Sequence, residues 1–365
     1  MSAVEKYMSM ALELAVKGIG FVNPNPLVGA VIVKNGRVIG TGWHEKYGGL
    51  HAERNAFKNC TENPEGADIY VTLEPCCHYG KTPPCTEAII ENKIKRVFIG
   101  SSDPNPKVAG KGVSILREHG IEVFENISKN QCDRINKIFF HYITKKTPYV
   151  ILKYAMTADG KTAAVTGESK WISSQASRDD VQKLRKRTAA VMTGIGTVLQ
   201  DDPFLNCRLP DPGTHSRIIC DSSLRIPLES NILKTAGEIP TIIATISDDV
   251  KKTEQIENCG AMVLRVPSDN GHVDLKSLMT VLAEEKHIDS ILLEGGAELA
   301  YSAFNSGIVS SVRMYLAPKI FGGNTAKTPV GGEGVLHPNG AFMLCDPEFM
   351  KIGDDIVIDY NVAER

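Results

Sequence analysis

LHAERNAFKNC (residues 50–60) is the stretch that decides the fold of the first half of the chain. It places His51 and Glu53 two positions apart at the predicted start of a helix. A predicted strand follows, and it runs into LEPCCHYGKTPPC (residues 73–85). In layered α/β folds, strand ends and helix starts gather polar side chains at one edge of the sheet. The pattern therefore predicts an α/β sandwich with its site residues at that edge.

Three of these residues form a ligand set suited to catalytic zinc. Such zinc takes three protein ligands from His and Cys and leaves a fourth position for water, whose pKa falls toward about 7. His51, Cys76 and Cys85 supply the ligands. Glu53 matches the glutamate of the H-x-E…P-C-x-x-C pattern of zinc deaminases, where it moves protons. We therefore expect a zinc-dependent deaminase with Glu53 as its catalytic residue.

The spacing of the cysteines departs from that simple pattern. Cys76 and Cys85 are separated by eight residues rather than two, and Cys77 lies beside Cys76. Adjacent thiols on an extended segment point to opposite faces, so at most one of them reaches the metal. We assign Cys76, because it directly follows a proline as in the pattern. A fourth ligand from Cys77 or His78 would close the site and make the zinc structural.

The TPPC segment (residues 82–85) predicts a helix start, with Thr82 as N-cap and Pro83 at the first helical position. Helix N-termini favour the thiolate over the thiol, and the thiolate is the form that binds metal. This placement therefore supports Cys85 as a ligand.

Size predicts two domains, and composition predicts ordinary globular character. The chain has 365 residues, 42% hydrophobic content and a formal net charge of -2. This near balance gives no electrostatic argument for nucleic-acid or membrane binding. The nine cysteines are unevenly spread, which suits reduced thiols and a metal site. Charged residues interrupt the N-terminal apolar stretch, so it predicts an amphipathic helix rather than a targeting segment. We expect a cytoplasmic protein.

Strand and turn patterns divide the chain near residues 144–149, giving predicted domains at 1–144 and 148–365. Asn35 and Gly36 separate two apolar runs and predict a hairpin. A second α/β series begins at YVILKYAMTADGK (residues 149–161), and the tail KIGDDIVIDYNVAER (residues 351–365) predicts one last strand. The second series lacks G-x-G-x-x-G after an early strand, so it carries no Rossmann fingerprint. It does place Gly194 with Gly196, and Gly295 with Gly296, after apolar strands, where backbone amides approach phosphates.

NPNPLVGAVIV, HAE and especially EPCCHYGKTPPC resemble the N-terminal domain of the bifunctional riboflavin biosynthesis deaminase/reductase family. The resemblance implies a cytidine deaminase-like α/β/α sandwich. It also implies hydrolytic deamination of 2,5-diamino-6-(5-phosphoribosylamino)pyrimidin-4-one, with the base and phosphate held by Asn25, His44, His78 and Lys81.

LKYAMTADGK, SKWIS, DDPFLNCR, RIICDSSLRIP, LLEGGAEL and YLAPKIFGG resemble the reductase domain of the same family, over residues 148–325. The resemblance implies a dihydrofolate reductase-like α/β fold and an NADPH-dependent reduction of the ribosyl group to ribityl. It implies that the nucleotide is bound by Ala155, Trp171, Thr197, Asp201, Ser222, Gly295 and Gly296. It implies that the substrate is bound by Ser169, Arg185, Leu205, Arg208 and Glu294.

The residue types suit that chemistry. Arg185 and Arg208 can bind a phosphate through bidentate, charge-assisted hydrogen bonds. Lys153 and Asp201 are candidate proton donors for the reduced carbon chain, and water is a third. A homo-oligomer acting on a small phosphorylated pyrimidine is expected from the family.

Other functions remain open at this stage. A nucleotide or tRNA base deaminase could be fused to an unrelated oxidoreductase, although 41 basic against 43 acidic residues do not favour a tRNA substrate. The first half could instead be a structural zinc module, and the second a regulatory nucleotide-binding domain. Replacement of Glu53 distinguishes a deaminase from the structural zinc module, because a structural zinc site does not need that carboxylate.

Overall fold

The computed structural model describes residues 2–80, 82–105 and 108–363, in two compact units, Met1–Lys146 and Thr147–Arg365. Both units are α/β, as the sequence patterns predict. Within the described part of the chain, no helix has the length and apolar character needed to cross a membrane. Each unit is described by itself.

In its described residues, the first unit contains five strands and six α-helices. Its strands are β1 (Gly29–Lys34), β2 (Arg37–Trp43), β3 (Asp68–Leu73), β4 (Arg96–Ser101) and β5 (Glu122–Phe124). Its helices are α1 (Ala3–Ala15), α2 (Ala52–Lys58), α3 (Cys85–Glu91), α4 (Lys111–Glu118), α5 (Lys129–Ile135) and α6 (Lys137–Lys145). Helix α1 begins with a capping box, in which Ser2 and Glu5 each accept a hydrogen bond from the other's backbone N–H.

The five strands form one sheet in the order β2-β1-β3-β4-β5. The β1–β2 hairpin turns at Asn35 and Gly36, which both have positive φ, as the sequence predicts. Strands β3, β4 and β5 are parallel, so their carboxyl ends meet at one edge. Neighbouring residues of a strand face separate apolar cores: Ile32 packs in one core and Val31 in the other. The sheet therefore lies between two helical layers.

Over residues 147–363, the second unit contains eleven strands and six α-helices. Its strands are β6 (Tyr149–Thr157), β7 (Ala190–Gly194), β8 (Ser216–Cys220), β9 (Thr241–Thr245), β10 (Met262–Arg265), β11 (Ser268–Asp269), β12 (His272–Val273), β13 (Ser290–Glu294), β14 (Val309–Ala317), β15 (Leu344–Ile352) and β16 (Asp355–Val362). Its helices are α7 (Gln175–Arg187), α8 (Ile195–Asp201), α9 (Asn231–Lys234), α10 (Val250–Asn258), α11 (Leu275–Glu284) and α12 (Ala297–Asn305).

Nine of these strands form a sheet in the order β10-β9-β8-β7-β13-β6-β14-β16-β15. The seven strands from β10 to β14 in that order are mutually parallel, and β16 and β15 add an antiparallel ribbon. The predicted last strand is present as β16, and its antiparallel partner β15 was not predicted. The chain turns at Gly353, whose φ of +59° suits a tight turn, and the tail forms a hairpin.

The contact between α2 and β2 fixes the helix that carries His51 and Glu53. A Cβ atom on Gly42 of β2 would lie 2.3 Å from the backbone nitrogen of Ala56 and 2.4 Å from the carbonyl oxygen of Ala52. Both atoms belong to the backbone of α2, which cannot give way locally. The helix can lie this close only because residue 42 has no side chain.

We predict that Gly42→Ala displaces α2 and weakens the first unit, at a cost of about 1–3 kcal/mol typical of overpacking. The expected result is a lower urea midpoint together with reduced zinc content after purification. Gly237→Ala is the matched control, because a Cβ there would meet no atom within 4 Å. Equal midpoints and equal zinc content for the two variants would contradict the prediction.

Candidate active sites

Three side chains in the first unit converge as a metal-binding group. The ring nitrogen and sulfur atoms of His51, Cys76 and Cys85 all lie within 4.8 Å of one another. His51 Nδ1 is 3.4 Å from the sulfur of Cys76 and 3.4 Å from the sulfur of Cys85. No other group of this kind is found among the described residues, and Cys77 is not part of it.

The donor set fits zinc. Tetrahedral zinc with Zn–N near 2.1 Å and Zn–S near 2.3 Å places nitrogen and sulfur about 3.6 Å apart. The two observed nitrogen–sulfur distances of 3.4 Å are close to that value. With three protein ligands from two cysteines and one histidine, the fourth tetrahedral position is left for a reactant, as in catalytic zinc sites.

Backbone geometry places these ligands. His51 is the N-cap of α2, and Cys85 is the first residue of α3. The Cys85 backbone N–H has no partner inside its own helix, and it donates to the Cys76 sulfur at 3.3 Å. Hydrogen bonds from the Cys85 thiol and then from the His51 ring lower the pKa of Cys76 to about 4, against the opposing effect of burial. Cys76 is therefore held as a thiolate.

The predicted cap of α3 is wrong. The helix begins at Cys85 with Pro84 as its N-cap, so Thr82 lies too early in the chain to cap it. Thr82 Oγ1 is buried and makes no hydrogen bond to any described residue. Cys76 provides the acceptors at the start of the helix: its sulfur accepts from the Cys85 N–H, and its carbonyl oxygen accepts from the Thr86 N–H at 3.2 Å.

Glu53 lies in the first turn of α2, and its side chain is almost fully buried. Burial and then the nearby Cys76 thiolate raise the pKa of Glu53 above its ordinary value. The structure brings Glu53, the ligands His51 and Cys76, Asn25 and His44 to the wall of one cavity of about 270 Å³.

Asn25 and His44 form a fixed pair in that cavity. His44 Nδ1 lies 3.0 Å from the carbonyl oxygen of Leu50, which only accepts, so Nδ1 carries the hydrogen. The other ring nitrogen, Nε2, therefore accepts from Asn25 Nδ2 at 3.0 Å. Burial lowers the pKa of His44, which keeps the ring neutral in this tautomer. Their orientation is set before any ligand arrives.

His78 also lines the cavity and is exposed. Lys81, predicted to contact the substrate, lies outside the described residues. Asp103 and Asn105 line the same cavity and were missed by the sequence analysis. Burial raises the pKa of Asp103 to about 6. The available signal was the polar run directly after β4, at the carboxyl edge where strand-end residues gather.

Arg54 ties α2 to the segment that carries the cysteines. Its guanidinium donates to the Pro83 carbonyl oxygen at 3.1 Å and to the Pro84 carbonyl oxygen at 2.8 Å. These two prolines directly precede Cys85. The residue after the buried Glu53 therefore holds the backbone leading to a metal ligand, a supporting contact of the kind that tunes metal affinity.

In the second unit, the carboxyl ends of β7, β8 and β13 present features that fit a nucleotide. Gly295 and Gly296 have φ of +73° and +80° and lead into α12, whose first turn has no side-chain cap. A helix start of this kind accepts phosphate oxygens. The Thr193 hydroxyl and one Asp221 carboxylate oxygen are buried and make no hydrogen bond within the described part of the chain. Polar atoms of a ligand can satisfy them.

The other residues predicted for the nucleotide are placed as follows. Thr197 borders the glycine turn, since its Oγ1 would lie 3.1 Å from a Cβ on Gly295. Ser222 follows β8 and accepts from the Val273 backbone N–H at 3.3 Å. Trp171 and Asp201 are exposed, and Ala155 is half-buried on β6.

Lys153 of β6, Glu294 of β13 and Arg185 of α7 form a charge cluster. Glu294 accepts from Arg185 Nε at 2.7 Å and from Nη2 at 3.1 Å, and Lys153 Nζ lies 3.9 Å from the same carboxylate. Although burial opposes ionisation, Arg185 and then Lys153 lower the pKa of Glu294. Burial lowers the pKa of Lys153. Two of the three guanidinium nitrogens of Arg185 therefore donate to Glu294 before any phosphate binds.

The remaining residues predicted for the reductase substrate differ in exposure. Ser169 is half-buried, Leu205 is buried with a φ of +49°, and Arg208 is exposed. Leu205 and Arg208 lie on one irregular segment that follows α8.

We predict that Arg54→Met lowers zinc affinity by about 10–100-fold, the usual cost of losing a supporting contact to a metal ligand. Competition with a chelator of known affinity measures it. Arg37→Met is the matched control, because Arg37 pairs with Glu62 on the surface at 3.0 Å. Unchanged zinc affinity in the Arg54 variant would show that the Pro83 and Pro84 contacts do not support the site.

Similarity to known proteins covers both units. Residues 1–101 match the family described as the cytidine and deoxycytidylate deaminase zinc-binding region, and residues 148–358 match the RibD C-terminal domain. The chain is 54% identical to the riboflavin biosynthesis protein RibD of Actinobacillus pleuropneumoniae, over 98% of this chain and 94% of that protein. It is 44% identical to the protein of that name from Bacillus amyloliquefaciens, over 96% and 94%.

Two solved structures match over 99% of both chains. Acinetobacter baumannii RibD gives a TM-score of 0.88 at 34% identity. The diaminohydroxyphosphoribosylaminopyrimidine deaminase/5-amino-6-(5-phosphoribosylamino)uracil reductase of Thermotoga maritima gives 0.86 at 37%. The predicted cytidine deaminase-like first half, the reductase second half, zinc and NADPH are confirmed, and the fusion to an unrelated module is disfavoured. The chain belongs to the RibD family and is a bifunctional deaminase and reductase that acts on a small molecule.

Proposed function

We propose that the chain deaminates 2,5-diamino-6-(5-phosphoribosylamino)pyrimidin-4-one within residues 1–144 and reduces the ribosyl group of the product to ribityl within residues 148–365. The observation that carries the proposal is the first cavity, where Glu53 lies beside the His51, Cys76 and Cys85 donors and the fixed Asn25–His44 pair. The two reactions suit one chain, because the product of the first is the substrate of the second.

In the deaminase reaction, zinc supplies Lewis-acid activation of a water molecule when it is bound. Glu53 takes a proton from that water and delivers protons to the ring nitrogen and to the departing amine. Asn25 and neutral His44 present fixed polar atoms to the base. His78, at the exposed side of the cavity, and Lys81 hold the phosphoribosyl part.

In the reductase reaction, NADPH supplies the reducing equivalent when it is bound. Thr197, Gly295 and Gly296 fit its phosphates, and Ala155, Trp171, Asp201 and Ser222 are proposed to contact the rest of the nucleotide. Arg208, with Arg185 behind it, binds the phosphate of the substrate. Ser169, Leu205 and Glu294 complete the substrate contacts.

Lys153 is the residue proposed to move the proton that accompanies reduction. Opening of the ribosyl ring moves the amine proton to the ring oxygen and leaves a carbon–nitrogen double bond. Reduction of that bond at carbon needs one proton at its nitrogen. The Lys153 ammonium lies next to Glu294 and is largely buried, so its proton is shielded from bulk water. Asp201 is exposed at the end of α8, which makes it the weaker candidate.

We further propose that the protein works in the cytoplasm as a homo-oligomer, without nucleic-acid or membrane partners. None of the nine cysteines, all of which lie in the described part of the chain, forms a disulfide, which suits a reducing compartment. The near balance of charge supports a small-molecule partner rather than a polyanion.

We predict that Glu53→Gln lowers ammonia release from the diaminopyrimidinone substrate by about 10²–10⁴-fold, since the proton carrier is lost. Zinc content and NADPH oxidation with the deaminated intermediate should be unchanged. Glu118→Gln, an exposed change on α4, is the matched control. Full ammonia release by the Glu53 variant with zinc retained would favour a structural zinc site.

We predict that Lys153→Met lowers NADPH oxidation by about 10²–10⁴-fold, the usual contribution of a positioned acid. Ammonia release should be unchanged, because Lys153 lies in the second unit. The assay follows NADPH absorbance with the deaminated intermediate, and Lys276→Met on the exposed side of α11 is the control. Normal oxidation in the Lys153 variant would assign the proton to water or Asp201.

A further inference from the structure

The segment from Phe204 to Arg208, here called the 204–208 loop, has no helix or strand structure and lies between α8 and β8. It contains Leu205 and Arg208, both proposed to bind the reductase substrate. Irregular backbone cannot satisfy its own polar groups, so they need partners elsewhere. In this loop, backbone groups of Phe204, Leu205, Asn206 and Arg208 have such partners.

Three buried cationic or polar side chains hold the first three carbonyl oxygens of the loop. The contacts are Arg217 Nη1 to Phe204 O at 3.0 Å, His215 Nε2 to Leu205 O at 3.2 Å, and Arg185 Nη1 to Asn206 O at 2.8 Å. A carbonyl oxygen only accepts, so His215 must carry its hydrogen on Nε2. The three donors come from β8, from the segment before β8 and from α7.

Gln182 of α7 holds the last two residues of the loop. Its Oε1 accepts from the Arg208 backbone N–H at 2.9 Å, and its carbonyl oxygen accepts from the Cys207 thiol at 3.4 Å. Gln182 is 6% exposed and His215 is 9% exposed. Polar side chains buried to this extent are costly unless hydrogen bonds compensate them.

The loop is held in a conformation that it would not adopt freely. Leu205 has a φ of +49°, a left-handed backbone conformation that is uncommon for a residue with a branched side chain. Such strain persists only where the surroundings over-determine the backbone, and it clusters at ligand sites. The His215 contact to the Leu205 carbonyl oxygen is part of that constraint.

We propose that Gln182 and His215 are positioning residues that fix the 204–208 loop, so that Arg208 is presented to the phosphate of the reductase substrate. The inference rests on the proposed function, in which Arg208 binds that phosphate. A loop ordered before binding spares the entropy that a free loop loses when the ligand orders it. Gln182 is the sharper test, because its side chain contacts the backbone of Arg208 itself.

The test is steady-state kinetics of NADPH oxidation by the full-length, zinc-loaded protein with the deaminated intermediate. Gln182→Met removes the acceptor and is expected to raise the KM for the intermediate by about tenfold, the effect of one net hydrogen bond. The value of kcat, the KM for NADPH and ammonia release should stay within about twofold. Gln182→Glu keeps an acceptor oxygen, so its KM for the intermediate should lie close to that of the unmodified protein. Gln175→Met, an exposed change on the same helix, is the matched control.

A double-mutant comparison separates positioning from a general loss of structure. If Gln182 acts through Arg208, the Gln182→Met/Arg208→Ala variant has the same KM as Arg208→Ala alone. Multiplied effects in the double variant, or a fall in kcat at unchanged KM for Gln182→Met, would overturn the positioning role. If the Gln182 variant does not fold, His215→Leu and His215→Gln provide the test through the contact to the Leu205 carbonyl oxygen. His215→Leu should raise the KM for the intermediate, and His215→Gln, which keeps a donor, should raise it less.

The same variants distinguish failure of the inference from failure of the proposed function. A raised KM for Arg208→Ala with a normal KM for Gln182→Met would refute positioning and leave Arg208 as the phosphate ligand. A normal KM for Arg208→Ala would refute the proposed phosphate contact itself, and the positioning role would fall with it.

Discussion

The hydrogen bond from the Cys85 backbone N–H to the Cys76 sulfur, 3.3 Å long, is the contact on which the deaminase centre depends. It joins the end of β3 to the start of α3, and His51 reaches the same point from the N-cap of α2. The first-turn N–H groups of a helix lack partners within it. A thiolate is a good acceptor for such a group, so the backbone helps select the protonation state that binds metal. The ligand geometry is thus built into the sheet edge.

Both units use polar side chains to fix irregular backbone at their sites. In the first unit, Arg54 holds the carbonyl oxygens before Cys85, and buried Glu74 accepts backbone N–H groups of Gly110 and Gly112 at 3.0 and 3.1 Å. In the second, Gln182 and its neighbours hold the 204–208 loop. Segments without regular structure need such partners. The cost of burying charge is offset because one side chain satisfies several backbone groups at once.

Short-range sequence patterns predicted the structure correctly where the conformational preferences of adjacent residues determine it. The turn at Asn35 and Gly36 follows from the conformations those residues tolerate. The cap of α3 was mispredicted because the acceptors for its first two N–H groups both belong to Cys76, nine residues before the helix, and are brought close only by folding. The tail hairpin carried a signal in Gly353 followed by aspartate, which a strand-only interpretation passed over. Gln182 gained its role from contacts between elements, which no single-sequence pattern contains.

The two arginines predicted to bind phosphate differ in what they already contact. Arg185 donates from three of its nitrogen atoms, two to Glu294 and one to Asn206. An unpaired buried guanidinium would cost several kcal/mol, so Glu294 is what allows Arg185 to lie beneath the site in the free protein. Lys153 shares the same carboxylate, which leaves the cluster with one positive charge more than it has negative. An incoming phosphate would have to compete with Glu294 for Arg185, whereas Arg208 is exposed and can turn to it directly. Under the proposed function, Arg185 therefore positions the 204–208 loop and adds positive charge near the phosphate. The strength of the phosphate contact then depends on the hydrogen bonds that fix the backbone of Arg208.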